Sequence, residues 1–212
     1  MSKTKQNITE SIIKIIKKIT KYENKKIKLA AKYIAKSHLN NGQLFLFGTG
    51  HNHSLAEEGL HRAGGYANAC PVLDNRIDFS RGIKAASEIE RKSGIAKLIL
   101  KKYNLKKNDT IIIFTNSGIN KLPVEAAIIA KNLGLKVIVI LSLKYCKSLK
   151  KRKLEKIYNI ADISIDNHGP IADALINVSN KINIGTSSTI TGAFILNSII
   201  VELSKLLIKE TP

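Results

Sequence analysis

Three short stretches of this chain collect residue types that can hold an anion: Gly48-Thr49-Gly50-His51-Asn52-His53-Ser54, Thr115-Asn116-Ser117-Gly118-Ile119-Asn120 and Gly185-Thr186-Ser187-Ser188-Thr189. Each offers small residues, side-chain hydroxyls or amides, and backbone N–H groups able to turn inward, which together suit a phosphate. Gly118 lets the backbone come close to a ligand. Neither common nucleotide signature is present. Gly48-x-Gly50 is not followed by Gly-Lys-Ser/Thr, and no G-x-G-x-x-G occurs, so no nucleotide cofactor is expected. Taken singly, each loop is equally a turn and a helix N-cap, because Ser, Thr, Asn and Gly are favoured there. Three of them in a chain of 212 residues are harder to assign to capping alone.

Groups that can move protons stand near these loops. Glu57 and Glu58 lie one turn into the helix that follows the first loop, and Glu88 and Glu90 lie in Ala85-Ala86-Ser87-Glu88-Ile89-Glu90-Arg91. His51 and His53 flank Asn52 at i, i+2 spacing. Carboxylates and imidazoles beside a phosphate suit acid–base chemistry. The same acids can instead occupy solvated helix faces, pairing with Arg62 or Arg91. The two histidines lack a third ligand at recognisable spacing, so no metal is expected. His168, ahead of Gly169-Pro170, reads as a surface residue, and His61 is not assigned to chemistry. Cys70 and Cys146 show neither metal spacing nor a disulfide framework and read as reduced thiols.

The elements that must position these residues follow from periodicity. Apolar residues at helical spacing from Ile8 to about His38 predict an amphipathic arm, one helix or two meeting near Tyr22 to Lys25, starting at Asn7 or Thr9. Leu44–Phe47, Thr110–Phe114 and Lys136–Leu141 are short apolar runs of the kind that become buried strands, and Asp162–Asp166 alternates like a strand nearer an edge. A less regular strand is expected over Tyr66–Val72, after a helix from Leu55 closed by Gly64-Gly65. Helices are expected over 82–103 with a break at Ser93-Gly94, over Pro123–Leu133 with Gly134 as its stop, over Lys147–Tyr158, over Ala172–Val178 and over Ile190–Ile208. Alternating strands and helices predict an open parallel sheet covered on both faces.

The formal charge of +19, from 35 Lys+Arg against 16 Asp+Glu, raises nucleic acid as a partner. The composition argues against it: arginines are few, lysines are spread over most helices, tryptophan is absent, and the densest run, Lys147–Lys153, is equally a solvated helix start. No run approaches about 18 consecutive apolar residues, and the amino terminus lacks the apolar segment of a signal peptide. The expectation is a cytoplasmic protein with no membrane partner.

The pairing of LFLFGTGHNHSLAEE with DTIIIFTNSGIN, followed by IGTSSTITGAFILN, resembles the sugar isomerase (SIS) domain family of phosphosugar-binding proteins, from about residue 40 onwards. The match is nearest a bacterial single-SIS-domain branch keeping GTGH-x-H-x-x-AEE, Arg62-Ala63-Gly64-Gly65, the NSG loop and a late GP…ST segment, related to phosphoheptose isomerase and N-acetylmuramic acid 6-phosphate etherase. The resemblance implies an α/β fold, a flavodoxin-like three-layer sandwich with a five-stranded parallel sheet. It divides the chain into an N-terminal helical arm, 1–39, for packing or oligomerisation, and a phosphosugar-binding domain, 40–212. It implies a homodimer or homotetramer binding a sugar phosphate without metal or nucleotide. The expected activity is aldose–ketose isomerisation of a hexose or amino-sugar phosphate; a lyase or etherase, or a non-catalytic sensor regulating a partner, is the alternative.

By analogy with the isomerase domain of glucosamine-6-phosphate synthase, Thr115, Asn116, Ser117 and Asn120 hold the phosphate, and Ser188 and Thr189 match a second ligand loop. Gly48, Thr49, Gly50, His53, Ser54 and Gly118 complete the binding set. The catalytic candidates are Glu88, Glu90, Glu57 and His51, with Glu88 most like the Ala-Ser-Glu pattern and Glu90 close second. This chain departs from that enzyme at Gly50, where the enzyme has Ser, and at Ile190, where it has Lys.

Overall fold

The structure, a computed structural model, describes residues 7–60, 62–149, 155–179 and 182–210; His61 and the end of the basic run, 150–153, lie outside the described residues. Two helices open the chain, α1 (Ile8–Tyr22) and α2 (Asn24–Leu39), meeting at Glu23. Asn7 starts α1, its side chain accepting from the Thr9 N–H at 2.8 Å. There follow β1 (Leu44–Gly48), α3 (His53–Glu58), β2 (Ala69–Pro71), α4 (Ile83–Ile89) and α5 (Ile95–Leu100). Then come β3 (Thr110–Phe114), α6 (Lys121–Asn132), β4 (Lys136–Leu141), α7 (Leu143–Ser148) and β5 (Ile163–Asp166). The chain closes with β6 (Ile176–Ser179), β7 (Ile182–Ile184) and α8 (Ser188–Glu210).

Strands β1 to β5 form one parallel sheet in the order β2-β1-β3-β4-β5. Because successive side chains leave a strand on opposite faces, the apolar runs feed two cores. Leu44, Leu46, Ile112, Phe114, Ile138, Ile140, Ile163 and Ile165 pack beneath α2, α3 and α8. Phe45, Phe47, Ile111, Ile113, Val137, Val139 and Leu141 pack beneath α5 and α6. The result is a three-layer α/β sandwich with flavodoxin-like strand order. α2 buries Ile27, Ala30, Ala31, Ile34 and Ala35 in the first core, so 24–39 is part of the outer layer.

The topology also selects where a ligand can sit. The connection after β1 turns to α3 on one face, whereas the connection after β3 turns to α6 on the other. The two strands are neighbours, with Gly48 opposite Phe114 at their carboxyl ends. Diverging loops at adjacent strand ends open a crevice at the switch point of the sheet.

Several elements differ from expectation. The helix after the first loop ends at Glu58, with Gly59 rather than Gly64-Gly65 as its C-cap, and Gly59 packs so closely on the sheet that a Cβ would lie 2.0 Å from Leu46 Cδ1. The strand in 66–72 is confined to Ala69–Pro71, which run in register with Leu44–Leu46 of β1. Of the helix expected at Lys147–Tyr158, residues 150–154 lie outside the described residues; before them α7 starts at Leu143, where the Ser142 hydroxyl accepts from the Tyr145 N–H at 3.2 Å, and after them Ile157–Asn159 is a 3-10 turn. The helix expected over 172–178 is a 3-10 turn at Ile171–Asp173 followed by β6, which pairs antiparallel with β7. Ala172 and Asp173, at φ 59° and 56°, break the helical path there. α8 is long and apolar enough by composition to cross a bilayer, yet Ile195, Leu196, Ile199, Ile200 and Leu203 are spent in the core against α2 and the sheet.

Candidate functional site

The crevice between the first two loops is a cavity of about 510 Å³ at the carboxyl ends of β1 and β3. Its walls include Thr49, Gly50, His51 and Asn52 from the first loop and Thr115, Asn116, Ser117 and Asn120 from the second. The turn that ends α4 contributes Glu90 and Arg91, and the turn before β6 contributes Asp173.

The second loop turns sharply between β3 and α6. It leaves β3 with the Thr115 N–H bound to Ile140 O at 3.0 Å and turns at Gly118, whose φ is 66°. A Cβ at Gly118 would stand 3.0 Å from both Cys146 Sγ and Leu141 Cδ1, so the turn needs glycine for its dihedral and for its space. Thr115 Oγ1 accepts from the Gly118 N–H at 3.3 Å. Among the described residues, no partner is found for the N–H groups of Ser117, Ile119 and Asn120, just ahead of the 12-residue helix α6. Unsatisfied donors at a helix amino terminus attract negative charge. Asn116 is tied elsewhere: its Oδ1 accepts from Asn167 Nδ2 at 3.1 Å and its carbonyl from the Ser142 N–H at 3.2 Å, linking the loop to the ends of β4 and β5.

The first loop faces it. Gly48 ends β1 where a Cβ would fall 2.0 Å from Asn52 O, and Gly50 takes φ 57° with its N–H on Ile77 O at 2.7 Å. Thr49 is buried and donates its hydroxyl to Glu90 Oε1. Glu90 stands just past the end of α4, and its carbonyl accepts from the Leu122 N–H in α6 at 3.1 Å. Glu90 therefore joins the first loop to α6, the helix that follows the second. Glu88, two positions earlier, is exposed and absent from the cavity wall.

The remaining candidates divide. His51 lines the cavity, exposed, with Nε2 3.4 Å from Ser188 Oγ. His53 is buried behind the loop, its Nδ1 unpartnered and its Nε2 3.8 Å from the exposed Glu57. Ser54 is exposed and donates to His51 O at 2.7 Å, and Glu58, the last residue of α3, pairs with Arg62. Ser188 is buried at the start of α8, while Thr189 is exposed and off the wall. Two charged wall residues were not among the sequence candidates for the site. Arg91, whose Nη1 donates to Ser87 O at 2.8 Å, supplies a cation at the rim. Asp173, buried, accepts from the N–H groups of Ser187 and Ser188 at 3.0 Å each. Its charge occupies the amino terminus of α8 and opposes a second anion there.

Burial raises both thiol pKa values, Cys70 and Cys146 alike, so neither is an activated nucleophile. Among the described residues, no three His, Cys, Asp or Glu side chains converge to hold a metal ion.

Comparison with known proteins agrees with this architecture. A family model described as SIS domain matches residues 8–142. A UPF0309 protein from Caldanaerobacter subterraneus subsp. tengcongensis is 40% identical over 200 residues, covering 92% of this chain and 81% of that protein. The structure of a phosphoheptose isomerase from Francisella tularensis matches with a TM-score of 0.62 at 14% identity, over 93% of this chain and 94% of the other. The Vibrio vulnificus NanR protein, solved in complex with ManNAc-6P, matches with a TM-score of 0.57 at 10% identity, over 95% of this chain and 62% of the other. At these identities the two structures show a shared fold.

Proposed function

The chain belongs to the SIS domain family, and from that premise we propose that its cavity binds a sugar phosphate and that the protein interconverts the aldose and ketose forms of a hexose or amino-sugar phosphate. The observation that carries this reading is the gathering of two unlike kinds of group on the wall of one cavity: N–H groups of Ser117, Ile119 and Asn120 with no partner among the described residues, and the Glu90 carboxylate and His51 imidazole. The solved neighbour with ManNAc-6P lends the ligand class its support.

In this reading Thr115, Ser117 and Asn120 receive the phosphate, with Asn116 as the buttress of their loop. Isomerisation moves a proton between adjacent carbons, and a carboxylate placed above that pair of carbons serves as the base. Glu90 fills the role, oriented by the Thr49 hydroxyl. His51 handles proton transfer at the sugar oxygens as the ring opens. The same reading carries a cytoplasmic homodimer or homotetramer. It is supported by the two free cysteines and by the hairpin β6–β7, whose Val178, Ile182 and Ile184 are about half exposed where a lone two-stranded unit needs cover.

The test is a thermal-shift screen against hexose, amino-sugar, N-acetylmuramic and heptose phosphates beside the unphosphorylated sugars, followed by turnover assays. A ligand at a hundredfold excess over its dissociation constant adds about 2.7 kcal/mol to stability, a readable shift. A shift confined to phosphorylated sugars, with aldose–ketose turnover, is expected. Binding without turnover would favour a sensor, ether cleavage would favour a lyase, and no shift with any phosphate would overturn the reading.

A further inference from the structure

Ser188 has one hydroxyl hydrogen and two neighbours that compete for it. Asp173 Oδ2 lies 2.6 Å from Ser188 Oγ, and His51 Nε2 lies 3.4 Å from the same oxygen. Asp173 is nine-tenths buried, and its Oδ1 already accepts from Ser187 N, Ser187 Oγ and Ser188 N at 3.0, 2.9 and 3.0 Å. A carboxylate so surrounded by donors is acceptor-only, and the short contact commits the Ser188 hydrogen to it. Ser188 Oγ can then only accept from His51. The hydrogen between them must sit on Nε2, which leaves the lone pair of a neutral imidazole on Nδ1. Among the described residues His51 Nδ1 has no partner, and the ring lies exposed on the cavity wall.

The segment presenting Asp173 is itself unusual. Ala172 and Asp173 hold consecutive left-handed conformations, φ 59° and 56°, a strain kept only where the surroundings impose it. The four bonds to Asp173 supply that constraint, and they aim the carboxylate at the residue touching His51.

Resting on the reading of this cavity as a sugar-phosphate site, we propose that Asp173 is a positioning residue that, through Ser188, holds His51 as the Nε2–H tautomer, with Nδ1 open as the proton acceptor for ring opening of the bound sugar. Nδ1 takes the hydrogen of the anomeric hydroxyl as the second C1–O1 bond forms. The C1–O5 bond breaks with its electron pair going to O5, and the imidazolium returns the proton to O5. The step is redox-neutral and needs no further reactant, and the Ser188–Asp173 pair stabilises the transient cation.

The experiment is nitrogen NMR of histidine-labelled, ligand-free protein, with the His51 signals assigned by their loss in His51→Gln. The wild type is expected to show His51 with hydrogen on Nε2. Asp173→Asn, a residue that tolerates left-handed backbone, and Ser188→Ala, which leaves the three bonds to Asp173 Oδ1, should each raise the Nδ1–H population severalfold, and Ser188→Thr should restore the wild-type spectrum. Turnover should fall about a hundredfold in the first two variants with KM little changed, the scale of a lost acid–base contribution. His51 carrying its hydrogen on Nδ1 in the wild type, or a tautomer ratio unmoved in both folded variants, would overturn the proposal. Because the spectrum is taken without ligand, a wrong tautomer and a failure to bind any sugar phosphate are separate results.

Discussion

The hydroxyl of Thr49 donates to the carboxylate of Glu90 across 41 positions of sequence, joining the loop after β1 to the end of α4. A threonine that sequence alone places in a phosphate loop is thus engaged with the acid, and the acid is held at the cavity wall where its carbonyl also receives Leu122 N–H. Glu88 has no such partner among the described residues and faces solvent.

Glu90→Gln should lower turnover at least about a hundredfold while retaining ligand affinity, because the amide keeps the Thr49 bond and loses the basic oxygen. Glu88→Gln should leave both within about twofold, the range of an exposed substitution. Steady-state kinetics beside calorimetry decide it; the opposite pattern would transfer the role to Glu88.

Thr115→Val and Ser117→Ala should each weaken sugar-phosphate binding by about ten- to a hundredfold, since a hydrogen bond to a charged group contributes about 1.5–3 kcal/mol. Titration calorimetry against the sugar phosphate identified by thermal shift reads this directly. Unchanged affinity in both would place the phosphate outside the Thr115–Asn120 loop.

Gly48→Ala should destabilise the protein by about 1–3 kcal/mol, the cost of overpacking, because the new methyl would begin 2.0 Å from Asn52 O. For a chain this long, each kcal/mol lowers the melting temperature by about 2–4 °C. A variant melting with the wild type would mean that the β1–α3 turn relaxes freely.

Asp74 predicts the acid limit of stability. Hydrogen bonds from the Arg76 guanidinium at 2.7 Å hold its carboxyl well below the usual carboxylate range; burial opposes them and Lys102 Nζ at 2.7 Å reinforces them. A depressed folded-state pKa stabilises the fold above the ordinary value near 4 and loses that contribution as pH falls towards the folded one. Asp74→Asn should therefore cost about 1–3 kcal/mol at pH 7, as lost charge-assisted bonds do, and flatten the decline of stability below about pH 4. Denaturant unfolding from pH 7 down to pH 2 measures both; a slope unchanged by the substitution would remove Asp74 from the acid transition.

The layered architecture is legible in the chain's own pattern, because β3 and β4 are apolar runs with no polar interruption and only a doubly covered parallel strand can bury them on both faces. The sequence also singled out all three hydroxyl-rich loops, since three such clusters in one chain are more than turns and helix caps alone require. What it left open was which side chains meet. Glu88 and Glu90 stand about 200° apart around a helix, and only the packing of α4 beside the first loop turns one of them towards Thr49. Asp173 carried no local signal: its surroundings read as a short helix, and its role arises from two left-handed residues and from Ser187 and Ser188, 14 and 15 positions on. His51 and His53 look equivalent in sequence, yet one lines the cavity and the other is buried behind it. Periodicity reports the face an element buries against its own sheet; the meeting of loops from separate elements depends on strand order and register, which only the tertiary structure decides.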